Sequence, residues 1–174
     1  MYKVVKSVDL DFAHRIDGHE TCGNIHGHTW RFEVCLESDE LDDMGFVADF
    51  KKVKEHLNKF KSLFDHSFLL KELKKDEQNE LFKIKRNTLN LIRKIELVDN
   101  YSTYNIERYK TKEIGDVTII SSEEPFLYCT CEVLSEFLYL YFVNLKYYNI
   151  KWARVYEQLN PAPCYAEYSP DKKG

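Results

Sequence analysis

From Val8 to Phe12 the apolar residues Val8, Leu10 and Phe12 fall on alternate positions. With Val4 and Val5 before them they predict an extended segment over residues 2–14. A polar loop runs from Ile16 to Gly27, with Asp17-Gly-His-Glu-Thr-Cys-Gly-Asn24 in its middle. From His28 the alternation is strict. Trp30, Phe32, Val34 and Leu36 point one way and Thr29, Arg31, Glu33 and Cys35 the other, the pattern of a half-buried strand. After an acidic turn, Asp49 is placed to cap a helix whose apolar positions, Phe50, Val53, Leu57, Phe60 and Phe64, recur three and four apart. The stretch 71–100 opens on the charged run KELKKDEQNE and continues with Leu81, Ile84, Leu91, Ile92 and Ile95, which we read as a second helix. Residues 100–115 are polar and aromatic without a clean period. Val117–Ile120 predicts a short strand, and Thr130 caps a helix carrying Val133, Leu134, Phe137, Leu138, Tyr141 and Leu145. Ile150–Glu157 predicts a last strand, with Ala153, Val155 and Glu157 on one side, before Pro161 and Pro163 break the pattern. An early and a late pair of strands, each attended by a strong helix, predict an α+β fold: an antiparallel sheet with helices on one face.

Composition narrows the class. The 174 residues suit a single domain, 1–174, with room for an insertion, and 44% hydrophobic residues are enough for a core. A net charge of -4 leaves no basic footprint for nucleic acid. Five cysteines are too few for a disulfide scaffold at this length and suggest a reducing compartment. MYKVVKSVDLDF lacks the apolar stretch of a secretion signal, and no run approaches a membrane span, so a cytoplasmic protein without a membrane partner is expected.

Four of the six histidines lie between positions 14 and 28. His26 and His28 flank Gly27 at the start of a strand, where residues two apart face the same side and two imidazoles can converge on one ion. His14 ends the neighbouring strand. One ligand from one strand and two from the next make a three-histidine site, a form that catalytic zinc often takes with its fourth position open. His19 is read as an ordinary loop residue. Cys22 has two readings: a fourth ligand that closes a structural site, or a nucleophile or base beside a metal that lowers its pKa. Cys35, Cys129, Cys131 and Cys164 carry no metal pattern.

Asp65-His66 closes the first strong helix. A carboxylate beside an imidazole can serve acid–base chemistry, and a histidine at a helix C-terminus is also favoured by the dipole alone. Glu132 lies in the first turn of the late helix, where the dipole explains an acid. Glu157 shares an otherwise apolar face and needs a donor-rich partner, either a pterin or guanine edge or a protein Arg or Lys.

Together these segments resemble the 6-pyruvoyl-tetrahydropterin synthase / 6-carboxy-tetrahydropterin synthase family. Leu10-x-Phe12-Ala13-His14-Arg15-Ile16 is similar to its first-ligand segment, and Cys22-Gly-Asn-Ile-His26-Gly-His28 to its C-x-x-x-H-G-H motif. Gly45-Phe-Val-Ala-Asp-Phe50, Phe64-Asp-His-Ser-Phe-Leu69, Thr130-Cys-Glu132, Val155-Tyr-Glu157 and Tyr165-Ala-Glu-Tyr168 follow in family order. The resemblance covers about residues 4–70 and 117–168. It implies a tunnelling fold with a four-stranded antiparallel sheet and two helices on one face, assembled as a homo-hexamer (a dimer of trimers) with active sites between subunits.

It further implies Zn2+ held by His14, His26 and His28, Cys22 as general base, Asp65 and His66 as acid–base partners, and Glu157 anchoring a pterin with Thr130 and Glu132 nearby. The implied substrate is 7,8-dihydroneopterin triphosphate. Three residues between Cys22 and His26 match the queuosine-type motif, which implies the 6-carboxy product; the 6-pyruvoyl product and a non-catalytic binding homologue are the alternatives. Cys129 stands where the family has Pro, and Gln158 where it has Thr. Residues 71–116 have no counterpart and are read as an inserted helical or irregular segment: a solvated surface insertion, an interface or a lid.

Overall fold

The computed structural model describes residues 1–70, 85, 88–99, 102–112, 114–122 and 129–170. In chain order the elements are β1 (Tyr2–His14), β2 (His26–Ser38), α1 (Phe50–Phe64), β3 (Ser67–Leu70), β4 (Asn90–Val98), β5 (Thr103–Lys110), β6 (Asp116–Ser122), α2 (Cys131–Asn144), β7 (Ile150–Gln158) and β8 (Cys164–Tyr168). Among the described residues no helix is long and apolar enough to cross a membrane. The chain is α+β as expected, but its sheet is not four-stranded. Among the described residues eight strands run in the order β4-β5-β6-β3-β1-β2-β7-β8. Nor is it wholly antiparallel, because β3 pairs parallel to both β1 and β6.

Contacts divide the chain into two compact units, through both of which β1, β2 and α1 run. The first holds Met1–Leu10, Thr29–Ser62 and Cys131–Gly174. Its strand pattern is the expected one: Trp30, Phe32 and Val34 are fully buried, and Ala153 and Val155 of β7 are buried likewise. A register shift between Cys35 and Leu36 buries both, so Cys35 leaves the polar face assigned to it. The Asp49 carboxylate accepts the Lys51 N–H at 2.8 Å, the capping bond that starts α1. Val53, Leu57, Phe60 and Phe64 are buried, whereas Phe50 is 51% exposed beneath the Lys6 ammonium. α2 packs along β7 and β8.

The second unit holds Asp11–His28 and Leu63–Thr130, with Phe68, Leu70, Tyr109, Val117 and Ile119 at its core. Here the expected helix over 71–100 fails. Residues 71–84 lie outside the described ones, and 90–98 form a strand. Leu91 and Ile95 are spaced like a helical face, but Ile95 pairs with Ile106 and Leu97 with Tyr104 across an antiparallel ladder. The β-branched and aromatic residues of β5 supply a partner that a helix would forgo. The described part of the segment read as helical or irregular therefore carries β4 and β5, which form a meander with β6, the strand expected at Val117–Ile120, and β6 pairs with β3. Thr118, fully buried, is held within this unit by donating to the Leu63 carbonyl and pairing with Ser67 Oγ.

Candidate metal centre

β1 ends on His14 and β2 begins on His26, and the turn between them is held by its own backbone. Ile16 N–H donates to the Cys22 carbonyl at 2.8 Å and Gly23 N–H to the His19 carbonyl at 2.9 Å. Gly23 is required there, since a Cβ would meet the His19 carbonyl oxygen at 2.5 Å. Gly27, between the two histidines, has only ordinary contacts: a Cβ would lie 3.5 Å from the Phe12 oxygen. The spacing of the two histidines, rather than the glycine between them, shapes the cluster.

The rings of His14, His26 and His28 stand 4.6, 5.5 and 4.9 Å apart by centroid, and their nitrogens come within 4.8 Å of one another. His14 is fully buried. Its Nδ1 donates to the Cys129 carbonyl at 2.7 Å, and His26 Nδ1 donates to the Asn24 carbonyl at 2.7 Å. Carbonyls only accept, so in both neutral rings the proton sits on Nδ1 and Nε2 is a bare lone pair. Those two Nε2 atoms face each other at 3.1 Å. Two lone pairs at that separation repel unless a proton or a metal ion lies between them. Two nitrogens on a tetrahedral ion at ~2.05 Å each would be ~3.3 Å apart, so the donor set fits a metal. Carbonyls behind the ligating rings are the usual support of such a site. The bond to residue 129 uses a main-chain oxygen, which Cys supplies as well as Pro does.

The Cys22 thiol is not among the converging donors, so the described residues do not form a closed Cys-His site. Cys22 is half-buried, its N–H donating to His19 Nδ1 at 3.0 Å and its Sγ 3.7 Å from Thr21 Oγ1. His19, read as an ordinary loop residue, thus braces the turn that carries Cys22.

Asp65 and His66 follow α1. The Asp65 carboxylate takes the Asp11 N–H at 2.9 Å with one oxygen and lies 3.2 Å from His66 Nδ1 with the other. His66 adopts φ 55°, the left-handed conformation that commonly ends a helix but usually on glycine. Its N–H donates to the Asp11 carbonyl at 2.6 Å while its side chain is 78% exposed.

In the first unit, Glu132 and Glu157 both bear on Cys131, which the sequence reading passed over. Burial pushes the Cys131 thiol up to about 12, with both carboxylates adding to the shift. Its Sγ donates to Glu132 Oε2 at 3.6 Å, so it is a neutral donor beside two acids. Thr130, half-buried, precedes it directly. A separate cleft of about 510 Å³ is lined by Asp42, Asp49, Lys52, His56, Tyr147 and Tyr148 among others, and by none of the predicted site residues. Burial lowers the pKa of His56, which is hydrogen-bonded to the hydroxyls of Tyr141 and Tyr147.

The chain is similar to several known proteins. A putative 6-carboxy-5,6,7,8-tetrahydropterin synthase of Methanocaldococcus jannaschii is 28% identical over 163 residues, covering 90% of this chain and 88% of that protein. The 6-carboxy-5,6,7,8-tetrahydropterin synthase of Rickettsia felis is 35% identical over 72 residues, 40% of this chain and 52% of that one. Among solved structures, an uncharacterized protein of Wolinella succinogenes superposes with a TM-score of 0.64 at 16% identity, covering 98% of both chains. The 6-pyruvoyl tetrahydropterin synthase of Caenorhabditis elegans does so at 0.57 and 14%, over 98% of this chain and 96% of that one; at such identities the likeness is one of fold. The model of the 6-pyruvoyl tetrahydropterin synthase family matches residues 3–170, nearly the whole chain, and the chain belongs to that family.

Proposed function

We propose that the protein is a zinc-dependent 6-carboxy-5,6,7,8-tetrahydropterin synthase, converting 7,8-dihydroneopterin triphosphate and water to the 6-carboxy product, acetaldehyde and triphosphate. The observation that carries the reading is the pair of imidazole Nε2 atoms facing each other at 3.1 Å, each ring oriented by a carbonyl behind it. His14, His26 and His28 hold the ion. When bound, it supplies Lewis-acid polarisation of the substrate's side-chain oxygens.

The remaining roles belong to the chain's own groups. Cys22 takes a proton from the substrate side chain. His66, oriented by the Asp65 carboxylate, returns one, and its exposed ring suits an active site completed by a neighbouring subunit of a hexamer. Glu157 accepts the N–H donors of the pterin, with Thr130 and Glu132 beside it. Curated relatives named for the 6-carboxy product support that outcome over the 6-pyruvoyl one. The test is product analysis of zinc-loaded protein given 7,8-dihydroneopterin triphosphate. Acetaldehyde and carboxypterin are expected. A pyruvoyl product with no acetaldehyde would replace the reading, and no turnover would end it.

A further inference from the structure

Three consecutive carbonyls, those of Leu63, Phe64 and Asp65, stand where helical hydrogen bonding stops, and such carbonyls take their donors from elsewhere. Side chains of the second unit supply them. Thr118 Oγ1 donates to the Leu63 carbonyl, Ser67 Oγ to that of Phe64 at 2.6 Å, and Arg108 Nη1 to that of Asp65 at 2.8 Å. The third donor differs in kind. Two hydroxyls serve the first two carbonyls, whereas the third is served by a guanidinium only 13% exposed, carried by β5 in the segment without a family counterpart. That guanidinium is itself held. Arg108 lies opposite Thr118 of β6, and Asp116 of β6 lies opposite Lys110 of β5 on one side and Ser67 of β3 on the other. Asp116 Oδ2 accepts from Arg108 Nε at 3.0 Å and from Nη2 at 2.8 Å. Two donors on one carboxylate fix the plane of the guanidinium, and with it the direction of Nη1; a lysine would offer the charge without the fork.

The peptide that carries the Asp65 carbonyl also carries the His66 N–H, which donates to the Asp11 carbonyl at 2.6 Å. A planar peptide bonded at its oxygen and at its nitrogen cannot rotate about its Cα–Cα axis without breaking both bonds. His66 is held in this way at φ 55°, a conformation costly for a residue with a Cβ. Its side chain is 78% exposed, so packing does little to orient the ring, and the backbone beneath it must do so. We propose that Arg108 is a positioning residue for the Asp65–His66 pair: clamped by Asp116, its guanidinium holds the peptide between the two and so sets the direction in which the His66 ring is presented, 3.2 Å from the Asp65 carboxylate. The segment 71–116 thereby contributes a side chain that acts on the candidate site. The inference rests on the acid–base roles proposed for Asp65 and His66.

The test compares zinc-loaded wild type with zinc-loaded Arg108→Gln, folded by circular dichroism, on 7,8-dihydroneopterin triphosphate. In the variant kcat should fall about 10–100-fold, the effect of a small misplacement, with KM within about threefold of wild type. In a His66→Ala background the same change should cost kcat nothing further, because a residue that acts through His66 then has nothing to position. An unchanged kcat, a loss carried by KM alone, or an equal loss in the His66→Ala background would each overturn the proposal. Should Arg108→Gln not fold, the chain with both Arg108→Gln and Asp116→Asn, which leaves no unpaired carboxylate, takes its place. A wild type without turnover would end the reaction proposed above but not this inference. Crystal structures of wild type and variant then decide it: His66 should leave its φ near 55° in the variant, and a His66 unchanged in backbone and in its contact with Asp65 would overturn the proposal.

Discussion

Replacing His66 by glycine should stabilise the protein while removing its activity. The residue sits at φ 55° at the end of α1, where a side chain with a Cβ costs about 1–2 kcal/mol and glycine nothing. Against that gain stands the larger conformational freedom of glycine in the unfolded chain, about 0.4–1 kcal/mol. The imidazole gives little back. It is 78% exposed, so its contact with the half-buried Asp65 is worth little, whereas the Asp65 carboxylate keeps its bond to the Asp11 N–H without it. The net expectation is a gain of about 0.5–1 kcal/mol, or about 1–4 °C in Tm for a chain of this size. Urea titration at fixed metal and protomer concentration should show a raised midpoint with an unchanged slope. In the product assay, turnover should fall by about 10²–10⁴, the usual worth of an acid–base group. A His66→Gly chain destabilised by more than about 1 kcal/mol would refute the reasoning. The imidazole would then hold the helix end, and the unusual conformation would need no functional cause.

Three further outcomes follow from the same geometry. His26→Ala should lower the bound metal measured by elemental analysis, and the metal-induced rise in Tm should shrink with it; unchanged stoichiometry would mean that the ligands are wrongly assigned. Gly23→Ala forces a Cβ against the His19 carbonyl, so the turn must open, and metal affinity should drop at least tenfold by competition with a chromophoric chelator, while an unchanged affinity would show that the turn does not set the ligand spacing. His56 has a folded pKa below its unfolded value, so it opposes folding when protons are abundant: stability should fall as pH drops through about 6.5 toward the folded pKa. His56→Gln should flatten that part of the stability profile, and coincident slopes for the two proteins would rule the group out.

The two strong helices, the long first two strands and the last ones were legible because each buries one face, and a one-sided burial writes its period into the sequence. The convergence of the histidines was legible because His26 and His28 sit two apart in an extended chain. β4 was not, because it is exposed on nearly every residue, and without a buried face Leu91, Ile92 and Ile95 carry no period of two. The parallel pairing of β3 was equally hidden. Its four residues are all buried, which leaves no alternation to read. At the site, sequence spacing pointed to the ligand nitrogens but not to what stands behind them. The carbonyls of Asn24 and Cys129 are main-chain atoms, and no residue type announces them. The place of Cys131 between two acids depends on β7 lying beside α2, a tertiary fact.

The bond from His14 to the Cys129 carbonyl has a thermodynamic consequence of its own. The three histidines lie within one hairpin, so the proposed metal ion would gather them at the cost of a short loop, a modest entropic penalty. The orienting oxygen for His14 comes from 115 residues further along the chain, after the β4-β5-β6 meander has been laid down. The hairpin alone can present three imidazoles, but His14 acquires its final tautomer and orientation only when that large loop closes. Affinity for the ion is then linked to folding of the second unit in both directions. On the proposed metal reading, binding at one end of the hairpin would draw the meander toward its native arrangement, and loosening the meander would release the ion.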